Sequence, residues 1–410
     1  MPVNKPLNTK NLKSTDSKSD EHTSQLLPDL FFSRSGSAKK STQPYLFLPS
    51  YESPRFILPV LNKKIFHTAI TTVYTESFKD WIFKQTIRQG YLFLKNNRKN
   101  IGFTSPGFTE LFSKISWELN LSSSYFVSIV IDEYRRDSKN TCQLIDAEGQ
   151  IIGFVKIGHT STKALSLEND LRMCKMLQEN RFLNAELPRN LIGGKIDNFY
   201  VLVQTSPVNP TRPVGLKMSE QLILFLAELN AAHRSYFEFA ETEFARKFVL
   251  SMKEIVKMRI GFSNDILTDL LNSVKQIKHL RFPFGLCHGD FVPGNIRKTA
   301  DRLFVFNWEY SQKEYPPFFD LFNFLFAGYC QNTNLALEKI ILDKIFNHKK
   351  NGEYLSLYAT VINCPKNNLK ELFKIYLFDS LILDLKKQPN QEIESNIFYR
   401  ALVFMKKSSI

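Results

Sequence analysis

The chain has 410 residues and a mass of 47.6 kDa, with 43% hydrophobic and 23% charged residues. That length suits two or three domains with sizeable cores, and the composition excludes a wholly disordered chain, a collagen-like fibre and a small disulfide scaffold. Lys and Arg number 54 against 40 Asp and Glu, a net +14 that suits an anionic partner such as a nucleotide, a nucleic acid or a membrane surface without choosing among them. The five cysteines (142, 174, 287, 330 and 364) are an odd number without a C-x-x-C pair, which points to reduced thiols in a cytoplasmic protein. No apolar run reaches the ~18–20 residues needed to cross a bilayer, and the N-terminus lacks the apolar core of a secretory signal.

Residues 1–44 are rich in Lys, Ser, Thr, Asn, Asp and Pro, with seven basic and four acidic side chains, and read as a disordered arm. Residues 45–124 read as a helical N-terminal extension, with helical spacing over Phe78–Leu94 and Phe108–Leu119. From Tyr125 the pattern changes to short β-rich runs, Tyr125–Ile131, Thr141–Ile145 and Ile151–Ile157, which predict an antiparallel sheet. A helix over Ala164–Asn180 and two further strands, Leu191–Ile196 and Tyr200–Gln204, complete a segment of 125–206. Residues 207–410 are mostly helical. Ser219 caps a helix running to Arg234, and further amphipathic runs cover Glu243–Ile260, Asn264–Lys278, Pro317–Tyr329, Asn334–His348, Lys366–Lys387 and Glu392–Lys407. Strands at Phe284–Cys287 and Leu303–Phe306 interrupt the helices.

The most specific motif is His288-Gly289-Asp290-Phe291-Val292-Pro293-Gly294-Asn295, an H-x-D with Asn five residues after the Asp. This is the spacing of the protein-kinase catalytic loop. There the Asp reaches the attacking hydroxyl and the Asn reaches a metal ion on the phosphates, so a tight loop must carry both to one side. Asp290 and His288 are accordingly the catalytic candidates, and Asn295 a metal ligand. Twelve residues after Asn295, the apolar run Leu303–Phe306 ends in Asn307-Trp308-Glu309. Lys156, in Phe154-Val155-Lys156-Ile157, resembles the strand lysine that holds nucleotide phosphates. Its carboxylate partner belongs on the next helix. Glu168 and Asp170 both qualify by spacing, and Glu168 is preferred for its longer reach.

HGDFVPGN, then FNWE, then Pro317-Phe318-Phe319-Asp320-Leu321, in that order, resemble the aminoglycoside phosphotransferase and choline kinase-like family. The likeness spans roughly Tyr125 to Tyr329. It implies an α+β, two-lobed protein kinase-like fold with an antiparallel-sheet N-lobe (125–206) and a mainly helical C-lobe (207–410). It further implies ATP and Mg2+ as cofactors, an adenine-binding hinge near Gln204–Ser206, and a small-molecule acceptor bearing a hydroxyl group. Two positions depart from the pattern. Asn307 stands where the family carries Asp, so a hard Mg2+ loses a negative ligand, and Glu309, two residues on and on the same strand face, is the carboxylate expected to compensate. The phosphate loop expected at Asp132–Asn140 has no glycine and offers Arg135, Arg136 and Lys139 instead.

Each of these residues also has a plainer reading: Lys156 as a solvated strand lysine, Asn307 as a turn residue, Arg135 and Arg136 as loop surface, Asp320 as a helix or loop brace. The expected function is transfer of the ATP γ-phosphate to a hydroxyl of a small molecule. The alternative is a catalytically weak or inactive pseudokinase acting as a nucleotide-binding or regulatory module. Residues 313–410 carry 13 Lys and Arg against 10 Asp and Glu, a net of +3. That balance argues against a polycationic aminoglycoside as acceptor. No specific nucleic-acid motif is present, and the +14 charge leaves peripheral contact with an anionic surface open.

Overall fold

The computed structural model describes residues 45–49, 54–72, 85, 87–90, 106–121, 125–131, 140–158, 160–207, 211–258, 261–346, 349–388 and 391–408. The expected arm, 1–44, lies outside the described residues, as does most of Phe78–Leu94. The described residues up to Ile151 form one compact unit and those from Ile152 onward another.

In the first unit, four antiparallel strands pair in chain order: β1 (Tyr45–Pro49), β2 (Pro54–Pro59), β3 (Phe126–Ile131) and β4 (Asn140–Ile145). The stretch 45–124, expected to be helical, therefore opens on two strands. The reason lies in its sequence. Tyr45-Leu46-Phe47-Leu48 and Arg55-Phe56-Ile57-Leu58 are aromatic and aliphatic, and Pro49, Pro54 and Pro59 sit at strand ends, where a missing N–H is tolerated. Helix α1 (Lys63–Ala69) follows, its Asn62 cap accepting from Ile65 N at 2.9 Å. Ile65, Phe66 and Ala69 join Leu58, Phe126 and Ile145 in one apolar cluster. Helix α2 (Pro106–Glu118) matches the helix expected over Phe108–Leu119 and buries Leu111, Phe112 and Ile115.

The second unit begins with β5 (Ile151–Gly158), paired antiparallel with β8 (Phe199–Thr205), which in turn pairs with β7 (Asn190–Ile196). Asp197, at φ 52°, turns the β7–β8 hairpin. Helix α3 (Ser161–Gln178), capped by Thr160, buries Leu167, Asp170, Cys174 and Leu177 along one face. Then come α4 (Glu220–Ala231) with Ser219 as its cap, α5 (Glu243–Lys257) and α6 (Asn264–Ile277). Two small sheets follow. In one, β11 (Arg281–Cys287) lies between β10 (Ser235–Glu238) and β14 (Gln312–Tyr315). The other has the order β6 (Ala185–Glu186), β13 (Leu303–Val305), β12 (Ile296–Lys298) and β9 (Arg212–Pro213).

The helix expected over Pro317–Tyr329 is broken into Phe319–Phe322, a π-helical turn Asn323–Ala327, and Gly328–Asn332. A second π-helical turn covers Ile340–Phe346. Lys349–Val361 forms a helix absent from the sequence-based reading, and Leu369–Lys387 and Ile397–Lys407 close the chain. The many phenylalanines build this core. Phe225, Phe282, Phe284, Phe291, Phe322, Phe324 and Phe326 are sealed with Trp308, and rings meet edge to face, as in Phe244–Phe319 at 5.5 Å and 86°. The abundance of aromatics thus serves packing. The element order, an antiparallel sheet with one helix followed by a mainly helical part, is that of a kinase-like α+β fold.

Candidate functional site

Lys156 lies on β5 and donates to Asp170 Oδ2 of α3 at 2.6 Å, with side-chain exposures of 5% and 0%. The partner is therefore Asp170, and the preference for Glu168 is corrected. Reach did not decide the matter; helical phase did. Asp170 lies three residues from Leu167 and four from Cys174 on the buried face, whereas Glu168 is exposed. The second oxygen of Asp170 accepts from Gln204 Nε2 at 3.2 Å and Cys174 Sγ at 3.4 Å. Gln204 also donates to Asn190 Oδ1 at 3.0 Å. Its backbone is paired in the ladder with Phe154 and Asn190, while its side chain joins the Asp170 cluster. Arg135, Arg136 and Lys139 lie outside the described residues.

The H-G-D loop leaves β11 and is held from below by Asp320. One carboxylate oxygen accepts from His288 N at 2.7 Å, the other from Gly289 N at 3.0 Å and Cys287 Sγ at 3.2 Å. Burial raises the Asp320 carboxyl above its ordinary value, opposed by His288 and these donors, and burial with the nearby Asp320 charge pushes the Cys287 thiol well up. Phe318 precedes this brace in a left-handed conformation (φ 73°) that a bulky residue seldom adopts. Gly289 has φ +80°, and a Cβ there would lie 2.3 Å from the Tyr310 carbonyl oxygen. His288 is fully buried. Its Nδ1 accepts from Asp290 N at 3.2 Å, so its Nε2 carries the proton shared with Phe306 O at 3.0 Å. Its ring lies 4.5 Å from that of Trp308. His288 thus shapes the loop, while the half-buried Asp290 is the member with partial access to solvent.

Asn295 follows Asp290 through the short helical turn Pro293–Asn295. Its Nδ2 donates to Asp290 Oδ2 at 2.7 Å and to Asp290 O at 2.8 Å. The β12–β13 ladder pairs Ile296 with Val305, and Phe306 N donates to Asn295 O, so Asn295 and Asn307 arrive at the same end. There Asn307 Nδ2 donates to Asn295 Oδ1 at 2.7 Å. Asn307 has φ 68° and ψ 60°, a left-handed conformation that asparagine tolerates. Strand β13 has already ended at Val305, and Trp308–Tyr310 form a helical turn. The expectation that Glu309 shares a strand face with Asn307 is therefore corrected, because strand alternation does not extend to either residue. Glu309 is 7% exposed.

A divalent Mg2+ is held by hard oxygens, usually carboxylates. Here Asn295 and Asn307 are neutral, and the Asn295 side-chain oxygen already accepts from an amide. As arranged, Asn295, Asn307 and Glu309 do not fit a divalent-metal cradle. Among the described residues, no group of three His, Cys, Asp or Glu side chains is placed to hold a metal.

Two residues of this site carry no motif. Asn169 Nδ2 ties α3 to the turn after Asn307, donating to Glu309 O at 3.0 Å and Ser311 O at 3.2 Å. Asn323, in the π-helical turn, donates to Gly289 O at 3.4 Å and accepts from Tyr376 Oη at 3.1 Å. Asn323 has the signal of a polar residue in an otherwise apolar helical run, whereas Asn169, beside Glu168, Asp170 and Arg172, has none.

No family model and no curated protein matches the chain. Among solved structures it is similar to a candidate fructosamine-3-kinase of Haemophilus somnus 129PT, with 12% identity, TM-score 0.47, and 72% of this chain and 96% of that one covered. It is also similar to the GDP complex of wild-type aminoglycoside 2'-phosphotransferase IIIa, with 14% identity, TM-score 0.46, and coverage of 74% and 99%. A third is spectinomycin phosphotransferase in complex with ADP and spectinomycin, with 11% identity, TM-score 0.41, and coverage of 72% and 98%.

Proposed function

We propose that the chain binds ATP and transfers its γ-phosphate to a hydroxyl of a small molecule. The observation that carries this reading is the Asp290 carboxylate, held at 2.7 Å by Asn295 on a loop braced by Asp320. Such a carboxylate can accept the hydrogen bond of an acceptor hydroxyl and orient it for in-line attack. Lys156 supports the nucleotide side. Its ammonium has three donors, and Asp170 takes one, which leaves capacity for phosphate oxygens. Mg2+ accompanies ATP in solution. Asn295, Asn307 and Glu309 do not fit a metal cradle, so the chain's own residues would act without holding it. Positioning and the Lys156 charge carry the proposed chemistry.

A second reading is favoured by one bond, that from Asn307 to Asn295. With that amide in place of a carboxylate, the chain would be a pseudokinase, a nucleotide-binding or regulatory module without turnover. The discriminating experiment is ATP consumption by the full chain over a panel of hydroxyl-bearing sugars, amino alcohols and anionic metabolites, compared with Asp290→Asn. Acceptor-dependent turnover that falls by about 100-fold or more in the variant supports transfer. ATP binding without turnover in either protein supports the module.

A further inference from the structure

The side-chain amide of Asn295 is oriented by its surroundings. The backbone carbonyl of Asp290 can only accept, so the Asn295 group facing it at 2.8 Å must be the NH2. Its oxygen therefore points the other way, towards position 307, and needs a donor. Asn307 Nδ2 is that donor, at 2.7 Å. The relay Asn307 to Asn295 to Asp290 thus has one polarity throughout. An aspartate at 307 would set a carboxylate oxygen against the oxygen of Asn295, and two acceptors at that separation repel unless a proton or cation lies between them.

We infer that the Asn307 amide is a built-in substitute for a divalent cation. It satisfies the Asn295 oxygen from within the chain, so the Asp290 loop is assembled without metal. Nucleotide binding, which rests on the reading proposed above, is then indifferent to Mg2+. The backbone agrees with this assignment. The left-handed conformation at 307 is accessible to asparagine, and Asn169 anchors the following turn at Glu309 O and Ser311 O.

The test combines thermal unfolding and calorimetry on the full chain, in EDTA and in magnesium chloride at matched ionic strength. The wild-type melting temperature is expected to be the same in both. Asn307→Asp is expected to melt lower in EDTA and to recover in Mg2+, because the new carboxylate needs the cation. ATP affinity of the wild type is expected to agree within about twofold between the two buffers. A wild-type melting temperature raised by Mg2+, or ATP binding tighter by about tenfold with Mg2+, overturns the inference. If Asn307→Asp does not fold, the two wild-type measurements still decide. ATP binding absent in both buffers would sink the nucleotide reading, while the metal-indifferent melt would still stand for the amide relay.

Discussion

Lys156 and Asp170 meet at 2.6 Å with almost no solvent at either side chain. The pair joins β5 to α3, and Gln204 and Cys174 satisfy the remaining oxygen of Asp170. A buried ion pair of this kind contributes little net stability over an apolar replacement, but removing one partner strands the other charge. The pair is therefore weak as a source of stability and sensitive to the loss of either member.

Asp170→Ala should destabilise the fold by about 3–5 kcal/mol, because it leaves the Lys156 ammonium buried and uncompensated. Glu168→Ala should stay within about 0.5 kcal/mol. Denaturant unfolding of both variants checks the contrast. Equal effects would return the choice between the two carboxylates to the open state it had in the sequence.

Gly289→Ala should lower stability by about 2 kcal/mol or more. The residue sits at φ +80°, and its new Cβ would collide with the Tyr310 carbonyl at 2.3 Å. The loop carrying Asp290 should shift with it. A variant that melts like the wild type and keeps its ATP affinity would contradict this.

Asp320→Asn is a subtler probe of the same loop. Two backbone N–H groups use separate carboxylate oxygens, and an amide offers only one. One buried N–H would then face an NH2, at a cost of about 1–3 kcal/mol. The loss should be visible in denaturant melts, and Asp320→Glu should not restore it, since a carboxylate carried one methylene further does not keep both oxygens on the two N–H groups. Recovery with Glu would show that charge, not geometry, is what the loop requires.

The stability of the chain should depend on pH through Asp379. Burial raises its carboxyl to about 6, against an ordinary value near 4, although the Tyr315 hydroxyl donates to it at 2.5 Å. The fold thus holds this proton more tightly than the unfolded chain does. Its contribution is fully present below about pH 4 and is lost as pH rises towards 6. Asp379→Asn removes the titration, so the difference in melting temperature between variant and wild type should widen in favour of the variant across that window. A constant difference from pH 4 to 7 would refute the assignment.

Much of the site is legible in the amino-acid sequence. His288, Asp290 and Asn295 form one unbroken motif, and Lys156 lies in a strand readable from Ile151–Ile157. Such features are local, and their spacing alone brings the groups together. Asp320 reads from the sequence as a helix or loop brace, and it bonds His288 N and Gly289 N. The misreadings have different causes. Residues 45–59 read as part of a helical stretch because short apolar runs do not separate strand from helix by periodicity, and only pairing with β3 gives them an edge to join. Glu309 was expected to act with Asn307 by strand alternation, which ends where the chain turns left-handed.

By itself, the sequence determined the kinase-like order of elements, the motif carrying Asp290, and the presence of asparagine at 307. These follow from residue identity and short-range spacing. Only the tertiary structure decided which carboxylate meets Lys156, because that depends on which helical face the sheet covers. It also decided what Asn307 does. A lone asparagine reads as a missing charge. Set across the β12–β13 ladder from Asn295, it becomes a donor, because the direction of a hydrogen bond depends on a neighbour that no local pattern names.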